Sequence, residues 1–153
     1  IKSFVLGGHG DSMVAMLGST EVEGKKINDL IKEGRITQER LSEIVERTKK
    51  GGAEIVKYLE KGSAFYAPAA AGVEMAESYI KDLKKQLPCA AYLNGEYGVK
   101  DLYAGVPVII GSKGVEKVVE LKLDAGEKNN FEKSTQAVKT LFKDAQRIDT
   151  SLK

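Results

Sequence analysis

The stretch from Leu87 to Leu123 constrains the fold most. It holds three strand-like runs in close succession: Leu87 to Leu93, the apolar run Ala104 to Gly111, and the alternating run Val115 to Leu123. Asn94-Gly95 is a strong turn signal, continued by Gly98-Val99-Lys100-Asp101, and Ser112-Lys113-Gly114 makes the second turn. Connections this short leave no room for a crossover helix, so the three runs fold back on one another as an antiparallel meander. Helices lie elsewhere in the chain, without regular β-α-β alternation. The expectation is an α+β fold with a mostly antiparallel sheet packed against long helices.

Upstream, a first strand spans about residues 3–8, and Met13 to Leu17 is a second apolar stretch. Glu21 to Ile27 alternates like a short hairpin around Gly24, and Asn28 is placed to cap a short helical turn that Gly34 ends. Thr37 is a good N-cap for a long helix. Leu41, Ile44, Val45, Thr48, Ile55, Val56 and Leu59 share one helical face, interrupted by Gly51-Gly52, which predicts a bend or break. Gly62-Ser63 stops that helix. The next one runs to about Lys85, with Pro68 near its start and a stripe of Ala69, Val73, Ala76, Ile80 and Leu83. Either this domain's own sheet or a second subunit is expected against that stripe. Asp124 with Glu127 is a capping box opening the final helix. That helix extends to about Arg147, with Phe131, Val138, Leu141, Phe142 and Ala145 facing in and a frayed polar tail beyond.

A chain of 153 residues can bury the core of one domain. The net charge of +2, with no basic block interleaved by aromatics, argues against nucleic-acid binding. No apolar run approaches the ~20 residues needed to cross a membrane. The single cysteine, Cys89, fits a reducing, cytoplasmic compartment. The chain starts at Ile1 and enters an apolar strand within three residues, which predicts a piece of something longer.

The only histidine, His9, stands in Gly7-Gly8-His9-Gly10-Asp11 at the end of the first strand. Among side chains, imidazole alone normally changes charge near neutral pH. Flanking glycines let a ligand or another backbone come close. His9 is the first candidate for acid–base chemistry. Asp11, two residues on, lies on the same face of an extended backbone and pairs with it in the simplest reading. A Ser-His-Asp hydrolase built on Ser12 lacks the Gly-x-Ser-x-Gly elbow. One His and one Cys make no metal set. Gly8-His9-Gly10 starts like a dinucleotide fingerprint, but position 13 is Met and no helix follows.

The string Phe4-Val5-Leu6-Gly7-Gly8-His9-Gly10-Asp11-Ser12-Met13-Val14 resembles the signature of the lactate/malate dehydrogenase family. Gly51-Gly52-Ala53-Glu54-Ile55-Val56 is similar to the family's Gly-Gly-containing helix. Lys61 to Ala70, Ala91 to Tyr103 and Gly105 to Gly111 resemble the lactate-dehydrogenase-like malate dehydrogenases. The resemblance covers essentially the whole chain and only the C-terminal half of the family's length. It implies that residues 1–153 form a single C-terminal catalytic and substrate domain, with the Rossmann domain absent from this chain.

The function implied is reversible oxidation of (S)-malate to oxaloacetate with NAD, a step of the tricarboxylic acid cycle. By resemblance, His9 is the proton acceptor and donor. Gly8, Ser63 and Ala64 match substrate-binding positions, and Pro68 matches a position walling the nicotinamide. The small Ala64 suits malate better than lactate. The absent half would carry the NAD-binding domain, the arginines that grip the substrate carboxylates and the Asp that orients His9. That Asp belongs to an Asp-x-x-Arg motif. Asp144-Ala145-Gln146-Arg147 has the spacing but lies on the last helix, outside the family's context. Asp11 becomes a structural hydrogen-bonder rather than the partner of His9. The implied partners are malate or oxaloacetate, the N-terminal NAD-binding domain and further copies in a homodimer or homotetramer, with neither nucleic acid nor membrane. The alternatives are an L-lactate dehydrogenase of the same fold, and a non-catalytic interaction domain that retains it.

Overall fold

A computed structural model describes residues 1–152 and has the expected α+β architecture. Its centre is a long strand. The strands and helices in chain order are β1 (Val5–Gly7), β2 (Met13–Ala15), β3 (Glu21–Val22), β4 (Lys25–Lys26), α1 (Ile27–Lys32), α2 (Gln38–Lys49), α3 (Gly51–Leu59), α4 (Tyr66–Ile80), β5 (Lys85–Asn94), β6 (Lys100–Gly111), β7 (Gly114–Val118) and α5 (Ala125–Ile148).

β5 pairs antiparallel with β6 along nearly its whole length, from Lys85↔Ile110 to Asn94↔Lys100. β6 also pairs with β7 over Val108 to Gly111 and with β1 at Gly105. β2 extends the sheet from β1, giving the order β2-β1-β6-β5, and a separate β3-β4 hairpin turns at Glu23-Gly24. The meander expected from the sequence is present, with longer β5 and β6 and a shorter β7. Past Val118 the chain leaves the sheet, and the Tyr97 hydroxyl ties it down by accepting from Leu121 N and donating to Val119 O.

One face of the sheet carries the core. Leu6, Met16, Leu93, Val106 and Val108 are buried there, and Phe131 of α5 closes over them. Tyr97 meets Phe131 at a ring separation of 5.2 Å. A fully buried Phe side chain contributes on the order of 1.5–3 kcal/mol, so Phe131 is the principal anchor of α5. A smaller cluster of Ile27, Leu30 and Leu41 joins α1 to the start of α2.

Several local readings hold. Thr37 accepts from Arg40 N at 3.1 Å as the cap of α2, and Asp124 and Glu127 form a complete capping box. The helical face from Leu41 to Leu59 is divided where α2 gives way to α3, with Lys50 between them.

Others need correction. The first strand is only Val5–Gly7, because Gly7 has a φ of +90°. Asn28 lies inside α1, and Lys26 holds the cap position without a side-chain bond. α4 ends at Ile80, well short of Lys85, where left-handed Asp82 and Lys84 turn the chain into β5. The stripe of α4 is not core: Val73 and Ile80 are 68% and 77% exposed, and Ser78 is the helix's only buried residue. Leu141 and Phe142 face solvent rather than the core, since the burial of α5 is concentrated at Phe131, Ser134 and Thr135. Instead of fraying, Thr150–Leu152 form a short turn, with Gln146 Nε2 donating to Leu152 O; Lys153 lies outside the described residues. Among the described residues, no helix is long and apolar enough to cross a membrane.

Candidate active site

The site is a loop held between two short strands. β1 and β2 form an antiparallel hairpin with Val5↔Ala15, Leu6↔Val14 and Gly7↔Met13 in register, and residues 8–12 connect them. His9 itself is extended, with φ −96° and ψ 151°. Gly10–Ser12 then make one 3-10 turn, closed by Met13 N donating to Gly10 O. The extended run therefore stops at His9, and Asp11 does not continue it.

The imidazole is exposed, and no hydrogen bond joins it to another side chain among the described residues. Asp11 is exposed too and forms no side-chain hydrogen bond or ion pair among the described residues, so it neither orients His9 nor acts as the structural hydrogen-bonder expected. Asp144 pairs instead with Arg147 at 2.8 Å along the exposed side of α5, which leaves that Asp-x-x-Arg spacing as a helical surface pair.

The loop's backbone is fixed from below. Ser134 of α5, 3% exposed, accepts a hydrogen bond from Gly8 N at 2.8 Å and donates one to Ser12 O at 2.5 Å. A Cβ on Gly7 or Gly8 would overlap the hydroxyl of Ser134 or Ser12, respectively. Further along, the buried carboxylate of Glu127 accepts from Gly18 N at 2.8 Å, so the capping box also holds the chain after β2. Neither Ser134 nor Glu127 was assigned to the site from sequence. Their contacts span 126 and 109 residues. The available signal was polar Ser134 and Thr135 in the inward stripe with Phe131 and Val138.

A cavity of about 350 Å³ opens beside His9, with Gly8, His9, Met13, Tyr103, Gly105 and Val138 among its walls. Of the expected site residues, Gly8 and His9 line it. Ser63, Ala64 and Pro68 do not. They lie on the segment from α3 into the first turn of α4, where Ser63 and Pro68 are exposed and Ala64 is half-buried. Cys89 of β5 also lines this cavity; its Sγ meets Met75 Sδ at 3.2 Å, and burial pushes the Cys89 thiol up from its ordinary value.

Chemically, the loop offers an accessible imidazole on a pinned backbone, able to give or take one proton. No group of three or more His, Cys, Asp or Glu side chains able to hold a metal ion occurs among the described residues. The loop from Gly7 to Gly10 leads into a single 3-10 turn rather than an α-helix, and its Gly8 N–H is engaged by Ser134.

Comparison with known proteins agrees with this architecture. The family model for the lactate/malate dehydrogenase alpha/beta C-terminal domain matches residues 1–148. A malate dehydrogenase of Pelagibacter ubique is 62% identical over 152 residues, which is 99% of this chain and 48% of that protein. The crystal structure of Cryptosporidium parvum malate dehydrogenase superposes with a TM-score of 0.92 at 44% identity, covering 95% of this chain and 46% of the other. The lactate dehydrogenase from the same organism, complexed with lactic acid and nicotinamide adenine dinucleotide, gives a TM-score of 0.89 at 45% identity over 91% of this chain and 44% of its own. The chain thus spans about half the length of the curated relative it matches.

Proposed function

As this chain belongs to the lactate/malate dehydrogenase family, in its alpha/beta C-terminal domain, we propose that it is the catalytic half of an NAD-dependent malate dehydrogenase. The reaction is the reversible oxidation of (S)-malate to oxaloacetate. NAD, held mainly by an N-terminal half outside these residues, supplies the hydride acceptor.

His9 is the proton acceptor and donor in this reading. Its imidazole takes the C2 hydroxyl proton as the substrate is oxidised and returns it to the carbonyl oxygen on reduction. Gly8 leaves the approach to the ring open on one side. Ser63 and Ala64 line the substrate pocket once the N-terminal half brings the α3–α4 segment and the His9 loop to one substrate. Pro68 walls the nicotinamide ring.

The observation that carries the proposal is His9 itself. It is exposed, at the tip of a loop whose two flanks are bonded to α5, beside an open cavity. The 62% identity to a malate dehydrogenase supports malate over lactate, as does the small side chain of Ala64. Lactate is the second reading, favoured by the likeness to a lactate dehydrogenase solved with lactic acid. The exposed apolar residues of α4, Tyr66, Val73 and Ile80, suit a contact in a homodimer or homotetramer. A reducing, cytoplasmic setting suits the free thiol of Cys89.

Steady-state assays of the full-length protein with NADH test the substrate assignment. Oxaloacetate is expected to give the higher kcat/KM, and a preference for pyruvate would move the assignment to lactate dehydrogenase. The 153 residues alone are expected to reduce neither, because the dinucleotide cradle is not among them.

A further inference from the structure

We propose that Ser134 is a positioning residue for His9: its one hydroxyl locks both flanks of the catalytic loop and so fixes where the imidazole stands. The inference rests on the proton-transfer role proposed for His9.

A serine inside a helix ordinarily turns its hydroxyl back to a carbonyl in the preceding turn. α5 contains two such cases: Thr135 donates to Glu132 O, and Thr140 donates to Gln136 O. Ser134 does not follow them. Its hydroxyl leaves the helix, accepts from Gly8 N on one side of His9, and donates to Ser12 O on the other. A hydroxyl offers one donor and two acceptor sites, so both contacts are made in a single well-directed arrangement.

The seat of this hydroxyl depends on the loop's sequence. With a side chain at residue 7, the Cβ would occupy the position of the Ser134 Oγ. Gly7 also has a φ of +90°, which side-chain-bearing residues rarely adopt. Val138, one turn further along α5, packs against Gly8 and lines the cavity that His9 faces. The glycines before His9 therefore serve α5 as well as the substrate: they let the helix approach closely enough for one side chain to hold the loop.

A loop held at both ends restricts the imidazole to a narrow range of positions. Without Ser134 Oγ, Gly8 N and Ser12 O lose their partner. The loop can then rotate toward solvent to rehydrate them. Displacement of a reacting group by about 1 Å can cost on the order of 10²-fold in rate.

The test uses the full-length enzyme with three variants. Ser134→Ala removes the clamp, Ser134→Cys keeps its shape with a weaker donor and acceptor, and Thr135→Ala removes a buried hydroxyl that donates to Glu132 O within its own helix. Ser134→Ala is expected to lower kcat for oxaloacetate roughly 10- to 100-fold, within the range set by misplacement of a reacting group, with the KM for NADH unchanged. Ser134→Cys falls between Ser134→Ala and wild type, and carries the comparison alone should the alanine variant not fold. Thr135→Ala keeps kcat within about twofold of wild type, since its bond is internal to α5.

Hydrogen–deuterium exchange of the peptide covering residues 5–13 is read in the same proteins. It is expected to speed up in both Ser134 variants and not in Thr135→Ala. Faster exchange without loss of kcat would overturn the positioning role of Ser134 and leave the proton role of His9 to be tested by His9→Asn. Unchanged exchange in both Ser134 variants, or equal effects of Ser134→Ala and Thr135→Ala on kcat, would overturn the clamp.

Discussion

Gly105 of β6 lies so close to Gly7 of β1 that a Cβ atom on Gly105 would stand 2.8 Å from the Gly7 carbonyl oxygen. The two are paired residues of the sheet, and among the described residues they are the one register pair joining β1 to β6. Gly7 begins the loop that carries His9. The closeness of these two backbones is what seats the site on the rest of the domain.

Gly105→Ala tests this relationship. The atom in the way is a backbone oxygen, which cannot swing aside as the end of a side chain can, so β1 has to move. Overpacking of this kind costs roughly 1–3 kcal/mol. A drop of that size in stability is expected by chemical denaturation of the full-length protein, together with reduced kcat, because β1 leads directly into His9. An unchanged denaturation midpoint would show that β1 is held some other way.

Asp82 provides a pH test at the opposite end of the sheet. Its carboxylate accepts from Ser112 N at 2.8 Å, joining the turn before β5 to the turn between β6 and β7. That backbone hydrogen bond, helped by the Ser112 side chain and the nearby Lys84 charge and opposed by partial desolvation, holds the Asp82 carboxyl below its ordinary value. A carboxyl depressed on folding adds stability above its unfolded pKa of about 3.9 and loses it as the pH falls through the folded value. Wild type is therefore expected to melt above Asp82→Asn at neutral pH, with the gap closing as the pH drops below about 4. A gap of constant size from pH 7 to pH 3 would rule out the ionised carboxylate as its source.

What the sequence made legible was mostly local. The Thr37 cap, the Asp124–Glu127 box and the Asn94-Gly95 turn each depend on residues within a few positions of one another, and each is found in the structure. His9 stood out because it is the only imidazole. The contacts that hold it in place were not legible, because Gly8 and Ser134 meet only once the sheet and α5 have packed.

Periodicity marked apolar helix faces correctly but not what covers them. Leu141 and Phe142 lie on the apolar side of α5 by spacing, yet the sheet meets the helix only nearer its start. Ile44, Ile55 and Leu59 likewise remain about 40% exposed along α2 and α3. A face that a second body covers has the same period as one that the chain covers itself. Asp11 shows the converse limit. Alternation put it on the His9 face, and the 3-10 turn at Gly10–Ser12 broke the alternation.

The central claim is that His9 moves the proton, and His9→Asn in the full-length enzyme tests it most directly. The imidazole is exposed, so the variant is expected to melt at the wild-type temperature and keep its KM for NADH. Its kcat for oxaloacetate reduction is expected to fall roughly 10²- to 10⁴-fold, the usual contribution of a positioned acid–base group. A stable variant that turns over within a few-fold of wild type would contradict the account.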